Sequence, residues 1–196
     1  MLEEREKLIR LLRMQLREKE KLLDKCSKII EYCGTAISLI HRGEAKKAKK
    51  LLNMAKRIKK SLKISSSNYA EIIKDAMIEY VEAQCLYHFA KQGKLPPYES
   101  LGVEPDEYLL GLADFIGELR RMCLEQIRHD NYKEASKTFE QMEQIYEYIW
   151  YFEYPKKVIK GLRRKLDINR KLIDETRLAL TQTHIALTGR DLSGGN

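Results

Sequence analysis

Glu107-Tyr108-Leu109-Leu110-Gly111-Leu112-Ala113-Asp114-Phe115-Ile116-Gly117-Glu118-Leu119-Arg120-Arg121-Met122-Cys123 lies in a segment that reads as one helix, from just after Pro105 to about Arg128. The segments on either side read the same way. Upstream, Gly93-Lys94-Leu95-Pro96-Pro97 stops a helix over Tyr69–Lys91 and begins a loop of about ten residues. Before that helix, Ser65-Ser66-Ser67-Asn68 marks a break rich in helix-capping side chains. Glu44–Leu62 forms another helix, with Ala48, Leu51, Leu52, Ala55, Ile58 and Leu62 inward. Met1 to about Ile40 is a single long helix with no Gly or Pro before Gly34. A helix of that length needs packing along a partner, because intrinsic propensity alone does not hold one together. Downstream, His129-Asp130-Asn131 is a turn and a helix runs on to about Phe152. Pro155 opens a last helix to about Leu187, and the tail from Gly189 to Asn196 is expected to be flexible.

The fold class is therefore all-α, an elongated antiparallel bundle of six or seven helices, expected as one domain over residues 1–188. The chain has 196 residues, 43% hydrophobic and 34% charged, with only four prolines and ten glycines, too few for a turn-rich β fold. No run of eighteen apolar residues exists and the N-terminus is charged from Glu3 onward, which argues against a membrane span and a secretory leader. Cys26, Cys33, Cys85 and Cys123 form no metal-finger spacing and read as small core residues in a reducing, cytoplasmic compartment.

The net charge of +8 favours polyanionic partners, nucleic acid first. The cations are clustered. Arg42, Lys46, Lys47, Lys49, Lys50, Lys56, Arg57, Lys59, Lys60 and Lys63 stand against the single acid Glu44. A second cluster holds Lys156, Lys157, Lys160, Arg163, Arg164, Lys165, Arg170 and Lys171 against Asp167. Solvated helix faces look the same in sequence, but like charges at i, i+3 and i+4 repel, and a bound polyanion would offset that. Within these clusters Lys46, Lys49, Lys50, Arg57, Lys60, Arg163 and Arg164 are the candidate nucleic-acid contacts. Tyr146, Tyr148, Trp150, Tyr151 and Phe152 have the chemistry to stack bases. Core or interface packing is the commoner use of such a run and is favoured here.

Acidic residues are also patterned. Glu71, Asp75, Glu79 and Glu82 share one helix face; Asp114, Glu118 and Glu125 share another. Ordinary amphipathic helices carry such stripes. The chemical alternative is a hard-metal site, since Mg²⁺ and Mn²⁺ prefer oxygen ligands and keep several waters.

Residues 107–123 resemble the hallmark segment of Trax, DYLLGVADLTGELMRMC, in the translin/Trax family. Ile78-Glu79-Tyr80-Val81-Glu82-Ala83, followed by His88-Phe89, is similar to the Trax stretch QEFVEA…HF. The helix from Lys156 to Leu180 matches more loosely, so the likeness spans roughly Asn68 to Leu180. It departs at Ile116 (Thr in Trax) and Arg120 (Met), and the connector between the acidic motifs is short. The compact form is most like an archaeal-type Trax-like protein.

This resemblance implies a translin-like protomer in a hollow homo-oligomer, an octamer, with or without a translin-like partner subunit. It also implies a Mg²⁺- or Mn²⁺-dependent endoribonuclease acting on single-stranded RNA inside the cavity. Carried over by position, Glu79, Glu82, Asp114 and Glu118 are the catalytic and metal-binding acids that activate water at the phosphodiester. The alternative within the family is a translin-like protein that binds single-stranded RNA or DNA without cutting it. His41, His88, His129 and His184 are assigned no catalytic role.

Overall fold

The computed structural model describes residues 1–62, 69–153 and 158–193, with side chains through residue 188. Among these residues there are helices and no strand. They are α1 (Leu2–His41), α2 (Ala45–Lys60), α3 (Ala70–Gln92), the single turn α4 (Tyr98–Leu101), α5 (Pro105–Arg128), α6 (Tyr132–Trp150), a 3₁₀ turn (Tyr151–Glu153) and α7 (Leu162–Ser193). The all-α expectation holds. Ser65–Asn68, Lys63 and Pro155-Lys156-Lys157 lie outside the described residues.

Three boundaries differ from the expectation. The last helix begins at Leu162, because Gly161 sits at φ +90°, outside the right-handed helical region. It runs through Ser193 rather than ending near Leu187; one glycine at 189 weakens a helix by about 1 kcal/mol without stopping it. The Pro96–Glu104 loop contains α4. Gly102, left-handed at φ 58°, ends that turn, and the Tyr98 hydroxyl donates to the Val103 carbonyl at 3.0 Å. Leu101 and Val103 are buried beneath it.

The chain groups into two compact units, Met1–Tyr87 and His88–Asn196, with the boundary inside α3. In the first, α1 and α2 form a helical hairpin. Gly43, at φ +77°, closes α1: the Gly43 N–H donates to Ile40 O and the Glu44 N–H to Leu39 O, each at 2.9 Å. Cys26, Ile29, Cys33, Ala36 and Ile40 of α1, Ala48, Leu52 and Ala55 of α2, and Ile73, Ala76, Tyr80 and Val81 of α3 are all buried.

In the second unit α5, α6 and α7 pack pairwise. A capping box starts α5, with the Glu104 N–H donating to Glu107 Oε2 at 2.8 Å and Pro105 in the first turn. Leu109, Leu112, Ile116, Leu119 and Cys123 of α5 are buried, as are Phe139, Met142, Ile145 and Ile149 of α6 and Leu162, Leu166 and Ile173 of α7. Phe115 meets Phe89 edge-on at 5.9 Å. Asn169 of α7, itself buried, donates to the Ala113 carbonyl at 2.8 Å. That bond fixes α7 against the turn of α5 that carries Asp114.

All four cysteines are free and buried. Burial pushes each thiol up, Cys123 to about 11. Since the thiolate is the reactive form, a disulfide reagent at pH 7.5 should titrate fewer than one thiol per chain in minutes under native conditions and all four in denaturant.

Candidate functional site

The quartet of acids divides between the units: Glu79 and Glu82 on α3 in the first, Asp114 and Glu118 on α5 in the second. At spacings of three and four, each pair shares a helix face. All four are half-buried, unlike the exposed Glu71, Asp75 and Glu125 of the same stripes. Only these four of the stripes therefore combine negative charge with partial removal from water, which strengthens any electrostatic interaction they make.

Glu79 and Glu82 lie beside α1 where Gly34 and Cys33 pass. A methyl group at Gly34 would meet Glu79 Oε1 at 3.7 Å, ordinary contact. The Cys33 thiol is pushed up first by burial and then by the negative charge of Glu79 and Glu82. Cys85 responds in the same way to burial and to Glu82.

Asp114 accepts an ion-paired hydrogen bond from Lys165 of α7, both side chains 30% exposed. Glu118 stands 4.0 Å from Arg121, one turn on. Arg120, on the far side of that turn, pairs with Glu175 at 3.0 Å. The donor chemistry suits a hard divalent ion, since carboxylate oxygens are what Mg²⁺ and Mn²⁺ take. Among the described residues, however, no three His, Cys, Asp or Glu side chains are grouped to hold a metal ion. Lys165 is the cation that Asp114 holds in this conformation.

The cations of α2 are arrayed more simply. At 100° per residue, Lys46, Lys49, Lys50, Lys56, Arg57 and Lys60 fall within roughly 120° of the helix circumference, opposite Ala48, Leu52 and Ala55. All six are exposed, and among the described residues no ion pair engages them. Lys47, by contrast, pairs with Glu44, and Lys59 lies over the Tyr80 ring at 5.7 Å. The result is a continuous basic stripe with an apolar back. In the second cluster Arg164 is exposed, but Arg163 is held by the buried Glu153 and by Asp167 at 3.4 Å. A phosphate at Arg163 would have to compete with both carboxylates.

The aromatic run is not core. Tyr148, Trp150, Tyr151 and Phe152 are exposed, and only Tyr146 is half-buried. On α6 the inward positions are taken by Met142, Ile145 and Ile149, which turns the aromatics outward.

The translin family's sequence profile matches residues 3–175. The chain belongs to the translin family. It is also 34% identical over 162 residues to the uncharacterized protein MJ0175 of Methanocaldococcus jannaschii, covering 81% of this chain and 72% of that one. Among solved structures, AfC3PO in complex with duplex RNA superposes with a TM-score of 0.84 at 30% identity, covering 92% of this chain and 96% of that one. AfC3PO alone gives 0.82 at 32% identity over 92% and 97%. Apo-NeC3PO gives 0.82 at 26% identity over 91% and 96%. The translin-like fold read from residues 107–123 is confirmed, and the family match takes in all four acids and the basic stripe of α2.

Within this translin-family chain the sequence reading missed Lys165 as a partner of Asp114. It stands 51 residues away, and no local pattern signals the contact. Gly117, beside Glu118, is half-buried and faces open space: a methyl group there would meet nothing within 4 Å. Its helical backbone does not need glycine, so Gly117→Ala should raise stability by about 1 kcal/mol, seen as a higher midpoint in urea. No helix among the described residues is long and apolar enough to cross a membrane.

Proposed function

We propose that this chain is a nucleic-acid-binding member of the translin family on its Trax-like, catalytic branch, cutting single-stranded RNA with the help of Mg²⁺ or Mn²⁺. The observation that carries the binding half is the likeness, at 30% identity over 92% of the chain, to AfC3PO in a duplex RNA complex. The exposed stripe of α2 supplies the charge such binding needs. The catalytic half rests on the Trax-like motifs that contain Glu79, Glu82, Asp114 and Glu118.

In this proposal those four carboxylates hold the ion, which when bound supplies positive charge that activates water and offsets charge on the phosphodiester. The chain's own residues do the rest. Asn169 anchors the Ala113–Asp114 turn through the Ala113 carbonyl, so the Asp114 carboxylate is presented from a fixed backbone. Lys165 neutralises Asp114 in this conformation, and an ion held by Asp114 would have to compete with that ammonium. Half-burial of all four acids limits competing water. The assembly is proposed as a homo-oligomer, an octamer, with or without a translin-like partner subunit, in the cytoplasm.

The Asp114–Lys165 pair favours a second reading, a translin-like protein that binds RNA or DNA and does not cut. Incubation of end-labelled single-stranded RNA and its duplex with Mg²⁺, Mn²⁺ or EDTA separates the two. Metal-dependent fragments that EDTA abolishes are the expected result. Salt-sensitive binding with intact RNA under every metal would establish the binding-only reading.

A further inference from the structure

The first eight turns of α1 carry an exposed apolar seam. Leu2, Ile9, Leu16, Leu23 and Ile30 recur every seven residues, the period of helices that supercoil about each other. They are 77%, 37%, 56%, 41% and 40% exposed, and Leu12, at the intermediate position of the same heptads, is 63% exposed. Further along α1 the same heptad positions turn into the core: Ile37 continues the first series and Cys26, Cys33 and Ile40 the intermediate one, and all four are buried. Every residue from 1 to 20 is exposed, although an apolar stripe of this kind is stabilised by burial.

The charges decide what fits it. Past Lys19 the intermediate heptad positions are Cys26 and Cys33, both buried, so the complete seam ends at Lys19. Within it those positions are Arg5, Leu12 and Lys19. A parallel copy would set Arg5 against Arg5 and Lys19 against Lys19 in the seam. An antiparallel copy centred between Arg10 and Leu11 removes both clashes. Ile9 then faces Leu12 of the second copy, Leu16 faces Arg5, and Leu2 faces Lys19, whose long stems reach past the leucines to water. In the same register the flanking Glu6 meets Arg13 of the second copy, and Arg13 meets its Glu6. Moving the register by one heptad either way sets Glu6 against Glu6, or Arg13 against Arg13, so one alignment satisfies both seam and flank.

We infer that residues Leu2–Lys19 of α1 pair antiparallel with the same segment of a second copy of this chain, Ile9 and Leu12 forming the central layer. The inference gives a place and a direction to one contact of the oligomer and stands apart from whether the protein cuts RNA.

Cross-linking of the full chain tests it. Ile9→Cys and Leu12→Cys proteins, one of them tagged, are oxidised separately and mixed; the four native cysteines are buried. The mixture should give a tagged–untagged disulfide dimer at least tenfold more abundant than the self-linked dimer of either variant alone. Glu6→Arg alone should weaken self-association on dilution, and Glu6→Arg with Arg13→Glu should restore it. Self-linked Ile9→Cys dimers matching the mixed yield would overturn the antiparallel arrangement. An absence of mixed dimers, in protein whose circular dichroism matches wild type, would overturn the interface itself.

Discussion

Exchanging Asp114 for Asn is expected to lower the rate of single-stranded RNA cleavage by roughly 10³-fold or more while leaving RNA affinity within a few-fold of wild type. The exchange keeps the shape of the side chain and one acceptor oxygen, so Asn169 still anchors the preceding carbonyl and α5 stays in place. What it removes is the charge. A hard ion held through carboxylates stabilises the transition state by several kcal/mol, and each 1.36 kcal/mol is tenfold in rate, which gives the expected size. The loss should not be repaired by raising Mn²⁺. Lys165→Met supplies the opposite sign. It leaves Asp114 without the ammonium that it holds here, so half-maximal cleavage should need several-fold less Mn²⁺. Single-turnover rates across a Mn²⁺ series measure both. An Asp114→Asn protein that cuts at the wild-type rate would remove Asp114 from the site.

The second large effect concerns the basic stripe. Lys46, Lys50 and Arg57 fall within about 40° of one another on α2, the narrowest line through it. Replacing all three by Ala should weaken single-stranded RNA binding by roughly 100-fold at 0.1 M salt. It should also make the slope of log affinity against log salt about two less steep, because each lost phosphate contact on a single strand withholds about 0.7 counterion. Helicity should not fall, since Ala is the better helix former and self-repulsion is relieved. Arg163 makes the contrasting case. Its partner Glu153 is buried, so Arg163→Ala should lower the melting temperature more than it lowers RNA affinity. A triple variant that binds with the wild-type salt slope would place the RNA elsewhere on the protein.

Much of the fold was legible because helices write their faces at a period of 3.6. The positions of α1, α2, α3, α5 and α6 follow from that period with Gly43, Gly93, Pro105 and the His129–Asn131 turn as punctuation. Pro155, read as the start of the last helix, lies outside the described residues, and α7 starts at Leu162 because Gly161, at positive φ, cannot sit inside it. The single turn α4 is too short to show a period; Pro97 and Gly102 on either side of it were the available signal. Periodicity tells which residues share a face and not what covers that face. For that reason the aromatics of 148–152, read as core or interface, turn out not to be core, and the Asp114–Lys165 pair, a contact between α5 and α7, left no trace in sequence. The four candidate acids were picked by motif likeness, and their shared half-burial is what the structure adds to them.

The most direct measurement is cleavage of one labelled single-stranded RNA by wild type and by Glu82→Ala, side by side, each in Mg²⁺, Mn²⁺ and EDTA. Glu82 is chosen because it lies on α3, away in sequence from the Asp114 motif, and a shared loss ties both motifs to one chemistry. Wild type should cut with metal and fall silent in EDTA, and Glu82→Ala should bind the RNA and leave it whole in every lane. Equal cutting by both proteins, or an intact RNA with wild type under both metals, would contradict the catalytic assignment.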